Sequence, residues 1–263
     1  MARLTTFAVT ALLLAAAACG DKGASTTAAT TSTATTSTAT TSTATTSTAA
    51  NAATLPGKPV RDWTQVVVAT PEGGFRMGNP DAKVKFLEFA SLTCPHCRDF
   101  NKESMAGIRS YVATGKVSYE FRNFILNGYD LAVSVAARCQ APAAFFRSVD
   151  SLYATQVDWM QNYIKLTPEQ LKAIQAEPRE QQLVTIADKG KMDEFFRLRG
   201  MPRAKYEACL TDEKNVQKLQ AIAEDAQKTY HLEGTPTFVL NGETKQDLHI
   251  WPDVDKAIKA MLG

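Results

Sequence analysis

The sequence predicts an α/β fold interrupted by a helical insertion, and three features carry that prediction. A strand-like run, VKFLEFA at 84–90, leads through a short turn into a helical pattern and then into a second strand-like run, KVSYEFRNFIL at 116–126. Strand, helix and strand in that order form a βαβ unit. The same alternation returns near the C-terminus with PTFVLNGE at 236–243, whereas the intervening residues 128–212 read as helix throughout. At 263 residues and 44% hydrophobic, the chain can bury a substantial core.

The first 55 residues stand apart from that fold. Arg3 gives a short positive start, residues 4–18 (LTTFAVTALLLAAAA) are uncharged, and small residues lead to Cys19. This reads as an export signal over 1–18, too short to span a bilayer comfortably. AAACG at 16–20 resembles a bacterial lipobox, which implies acylation of Cys19, although Ala16 stands where Leu is commonest. Plain signal-peptidase cleavage after an A-x-A site is the alternative. The block TTSTA then occurs four times in 30–49, and residues 24–53 carry no charge and no aromatic ring. With no apolar face to bury, 19–55 reads as a flexible linker, and folded sequence is expected from about Pro56.

Beyond the linker, QVVVA at 65–69 is a short strand candidate, and the turn residues GNPD at 78–81 precede the strand at 84–90. A helix is expected over 99–112, where Phe100, Met105, Ile108 and Tyr111 or Val112 recur near helical spacing. In the insertion, LAVSVAARCQ, AAFFRSVDSLYA, PEQLKAIQA, EQQLVTIA and GKMDEFFRLRG are amphipathic pieces punctuated by proline and glycine. Helices at 216–230 and 254–262 flank the returning strand.

Chemistry concentrates in CPHC at 94–97. A zinc site normally needs four ligands, and the remaining cysteines, Cys139 and Cys209, stand alone and far apart. A purely structural disulfide across so short a loop gains little stability. A reactive pair fits better. The strand runs straight into Cys94, which places its sulfur at a helix N-terminus, where backbone N–H groups and the dipole favour a thiolate. His96, inside the dipeptide after Pro95, would add to this as a nearby imidazole, unless it is only a solvent-facing spacer. Glu88 shares strand parity with Val84 and Phe86 in an otherwise apolar run, so it is expected to be buried unless the strand is an edge.

FLEFASLTCPHC at 86–97 with GTPTFVLNG at 234–242 resembles the DsbA-like branch of the thioredoxin-fold oxidoreductases, over roughly residues 60–263. The resemblance implies a thioredoxin fold with an inserted helical domain, Cys94 as the exposed attacking thiol, Cys97 as the buried resolving thiol, and Pro236 as a cis-proline facing them. It also implies that Thr235 lies beside the sulfurs and that Glu88 assists proton movement at the buried thiol. Cys139 and Cys209 match positions that carry a second, structural disulfide in one branch of the family. Two separate buried thiols are the alternative.

The implied activity is a thiol:disulfide oxidoreductase that introduces disulfides into exported proteins, on the periplasmic side of a membrane. Its substrates would be proteins with free thiols, and a membrane redox partner would reoxidise it. A lipid at Cys19 would hold it to the membrane, as a monomer, with no organic cofactor and no metal. Nucleic acid is not indicated: net charge is +2, and the 29 basic and 27 acidic residues are interspersed. No phosphate-binding glycine motif and no H-E-x-x-H occurs. Two rival readings remain. One is a disulfide isomerase or reductase of the same fold, suggested by Thr235 before the proline. The other is a non-catalytic binding module on the same scaffold, which would predict a decayed motif.

Overall fold

The computed structural model describes residues 61–263. The export signal, the linker and Cys19 lie outside the described residues. Six strands form one mixed sheet: β1 (Val67–Ala69), β2 (Phe75–Gly78), β3 (Val84–Ala90), β4 (Val117–Asn123), β5 (Thr237–Leu240) and β6 (Glu243–Lys245). Their order is β1-β2-β4-β3-β5-β6, with β3 and β4 parallel and every other pairing antiparallel.

The parallel pair is joined by α1 (Pro95–Ala113), the crossover expected for a βαβ unit. Central β3 is buried on both faces apart from Lys85, which is why its sequence reads as a nearly continuous apolar run. Phe86 meets Phe100 of α1, while Phe89 meets Tyr230 on the other side. Glu88 shares the face of Phe86.

Seven helices make up the inserted region after β4: α2 (Gly128–Arg138), α3 (Phe145–Ala154), α4 (Gln156–Ile164), α5 (Pro168–Gln175), α6 (Arg179–Lys189), α7 (Met192–Arg197) and α8 (Arg203–Thr211). They leave β4 and come back through the long α9 (Glu213–Tyr230), and α10 (Trp251–Leu262) closes the chain. The insertion shares the core of the sheet, because Phe145 stacks on Phe75 at 3.8 Å and Phe146 packs on Tyr119. The architecture is therefore a thioredoxin-like α/β sheet with an inserted helical region.

Several boundaries differ from the sequence reading. The strand expected at 65–69 begins at Val67, because Asp62 caps a 3-10 turn over Trp63–Gln65 by accepting from Thr64 N–H at 3.0 Å. β2 and β6 carry no alternation over three or four residues and were not expected from sequence. α1 starts at Pro95 rather than 99: proline suits the first helical position because that N–H has no intrahelical partner. β4 stops at Asn123 rather than 126, since the N–H of Leu126 turns to Asp130 at 3.0 Å. α9 starts at Glu213, where Asp212 caps it by accepting from Lys214 N–H. No described helix is long and apolar enough to cross a membrane.

Candidate active site

β3 delivers the chain into the segment SLT at 91–93, and Cys94 becomes the N-cap of α1 with Pro95 first in the helix. Cys94 and Cys97 are both free thiols. Cys97 is fully buried at 0% exposure, and Cys94 retains only 6%. The expectation of an exposed Cys94 is thus corrected. Its sulfur lies 3.3 Å from the carbonyl oxygen of Thr235, so the loop bearing Pro236 covers it. The bond between Thr235 and Pro236 is cis.

This setting separates the two sulfurs chemically. The Cys97 thiol donating to it is the main influence that brings the pKa of Cys94 down to about 5. Burial opposes that effect, and hydrogen bonds from the Thr235 side chain and from the backbone N–H groups of Cys97 and His96 add to it. Cys97 moves the other way, well above its usual range, because burial, the bond to Cys94 and the charges of Glu88 and Cys94 all disfavour its thiolate. One sulfur is a ready nucleophile and leaving group, and the other keeps its proton.

His96 contributes through its backbone; its imidazole is exposed. It lines a cleft of about 460 Å3 with Thr235, Pro236, His249 and Ile250. Glu88 is 2% exposed on a central strand, so it is no edge residue in water. It accepts a hydrogen bond from the hydroxyl of Tyr119 through Oε2, while Oε1 has no partner among the described residues. Burial raises its pKa to about 8, opposed by the Tyr119 hydroxyl and reinforced by the negative charge of Cys94. Glu88 is therefore able to carry a proton near neutrality, beside the buried thiol that must gain or lose one.

Cys139 at the end of α2 and Cys209 on α8 form a disulfide, with Cα atoms 6.1 Å apart at a sequence separation of 70. They are not brought to Cys94 and Cys97. Four residues near the redox pair were missed from sequence: Tyr119, Asp130, Tyr153 and Gln156. Asp130 alone left a local trace, an acid three residues after the helix-capping Asn127. That pattern reads as a cap, and in fact the carboxylate turns inward.

Residues 70–260 match the thioredoxin family model. A solved protein-disulfide isomerase from Novosphingobium aromaticivorans is 30% identical, with a TM-score of 0.68 over 72% of this chain and 97% of that one. The alpha-DsbA1 structure of Wolbachia pipientis shares the fold at 20% identity, with a TM-score of 0.57 over 71% and 89% of the two chains. A Rickettsia bellii protein named "Putative protein-disulfide oxidoreductase" is 27% identical over 207 residues, 77% of this chain and 71% of its own. With a thiol pair of opposed proton affinities at a helix N-terminus and a cis-proline beside it, the chain belongs to the thioredoxin family, among the thioredoxin-fold protein-disulfide oxidoreductases, and its fold is DsbA-like.

Proposed function

We propose that this enzyme works outside the cytoplasm as an oxidase, introducing disulfides into exported proteins through Cys94 and Cys97. The opposed proton affinities of the two sulfurs carry this reading. A substrate thiolate attacks the Cys94 sulfur of the enzyme disulfide, and the bond between Cys94 and Cys97 breaks. Cys97 leaves with the electron pair and takes a proton, for which we assign Glu88, whose charge acts on Cys97, as the source. A second substrate thiolate then attacks the substrate sulfur of the mixed disulfide, and Cys94 leaves as a thiolate. The substrate has lost two electrons and the enzyme has gained them. A membrane redox partner is needed to take them away.

Export and anchoring rest on the N-terminal sequence: the signal over 1–18, Cys19 as the acylated residue, and the linker as reach from the membrane. Comparing membrane fractions of the native chain and Cys19→Ser tests the anchor, and a native chain found only in the soluble fraction defeats it. We assign the disulfide of Cys139 and Cys209 a structural role. The chain-entropy model gives about 4 kcal/mol for a loop of that length. Replacing both with Ser should lower the melting temperature and leave insulin reduction nearly intact; lost activity at unchanged stability would make them a second redox pair.

The direction of the reaction is tested by equilibrating the Cys94 and Cys97 couple with glutathione. An oxidase predicts a potential clearly above the roughly −270 mV of thioredoxin. Thr235 and the isomerase from Novosphingobium aromaticivorans favour a second reading, isomerisation. A thioredoxin-like potential, with rescue only of proteins whose disulfides are non-consecutive, would select it.

A further inference from the structure

Residues 91–94 belong to neither β3 nor the regular part of α1, so their backbone groups need partners from elsewhere. Those partners come largely from the helical insertion. Asp130 of α2 accepts from the Ser91 hydroxyl at 2.6 Å and from Leu92 N–H at 3.1 Å. Tyr153 of α3 donates its hydroxyl to Ser91 O at 3.0 Å. Gln156, the first residue of α4, donates its side-chain amide to Leu92 O at 2.8 Å and to Cys94 O at 3.0 Å. All three side chains are buried. Asn127, just before α2, also donates to the Thr93 hydroxyl at 3.0 Å.

The clamped segment faces both sulfurs. The segment ends in Cys94, the N-cap of α1; the backbone N–H of Ser91 lowers the proton affinity of Cys97, and those of His96 and Cys97, just past Cys94, lower that of Cys94. We infer that the insertion is a positioning device for the redox pair: Asp130, Tyr153 and Gln156 hold 91–94 so that these amides stay aimed at the sulfurs, and thereby set the balance between dithiol and disulfide. These residues touch no reacting atom and act through the segment they hold. The inference rests on Cys94 and Cys97 being the redox couple.

Aimed amides stabilise a thiolate more than a neutral disulfide sulfur, so loosening the clamp penalises the reduced form. In the full chain, Gln156→Leu removes two hydrogen bonds and should shift the equilibrium with glutathione about tenfold toward the disulfide, a potential roughly 30 mV more reducing. The thiolate midpoint of Cys94 should rise with it. Tyr153→Phe removes one hydroxyl and keeps the ring, and should move both readouts the same way by about threefold. If Gln156→Leu does not fold, Tyr153→Phe carries the test. Ser148→Ala is the control: its hydroxyl donates to Gln140 within the insertion at 2.6 Å and does not touch 91–94. It should lower stability and leave the potential alone. Clamp variants that lose stability but keep the native potential and thiolate midpoint would overturn the inference, as would an equal potential shift in Ser148→Ala. A native chain in which Cys94 and Cys97 form no disulfide at any glutathione ratio would instead overturn the functional reading beneath it.

Discussion

Followed by thiolate absorbance in the far ultraviolet, the reduced protein is expected to titrate Cys94 with a midpoint at about 5, against 9.0 for an unperturbed thiol. The sign follows from linkage. A depressed folded pKa stabilises the folded dithiol fully above pH 9.0, by about 3 kcal/mol at pH 7, and the contribution is lost as pH falls through about 5. The disulfide form has no such group to ionise. The same energy therefore favours dithiol over disulfide and raises the potential at pH 7 by roughly 60 mV relative to an unshifted thiol. Proton counting adds a second readout. Between about pH 5 and 9 reduction takes up one proton, on Cys97, so the potential should fall by about 30 mV per pH unit; below pH 5 it should fall about twice as steeply. A thiolate midpoint at or above about 8 would contradict the assignment.

Glu88→Gln should raise the stability of the folded protein at pH 7 while slowing its chemistry. The carboxyl has a folded pKa of about 8 against 4.5 when unperturbed, with burial as the main cause. Between those values the folded state holds a proton that the unfolded chain has released, so stability falls as pH rises through the window. At pH 7 the cost is about 3 kcal/mol. Glutamine keeps an acceptor for the Tyr119 hydroxyl and never pays for ionisation. Urea denaturation should show the variant more stable at pH 7 and little different near pH 4. Cys97 loses its proton donor, and exchange with a substrate thiol should slow by about tenfold or more at neutral pH. A variant less stable than the native protein at pH 7 would mean that Glu88 is ionised and compensated in the fold.

Much of this site was legible because its members are neighbours along the chain. Cys94, Pro95, His96 and Cys97 follow directly on a strand, and a helix that begins there must place a sulfur at its N-terminus. Glu88 was legible in part by parity, since in a strand of period two it shares a face with Val84 and Phe86; the pairing of β3 with both β4 and β5 is what removes the edge alternative. Pro236 and Thr235 were reached through resemblance to a known family, and so was the pairing of Cys139 with Cys209, since spacing alone names no partner.

What the sequence determined by itself was the order of strands and helices around the insertion, and the place of the CPHC pair where a strand passes into a helix. Local periodicity and capping encode those properties over a few residues. The tertiary structure decided the rest. β2 and β6 exist because β4 and β5 offer them a ladder, not because three or four residues announce a strand. Cys94 is covered because Thr235, 141 positions away, lies across it. Asp130, Tyr153 and Gln156 reach the redox segment from 38 to 64 residues downstream. Nothing in the pattern of one segment records which polar group of another will be buried against it, because a hydrogen bond between distant residues is specified only once the whole core has packed.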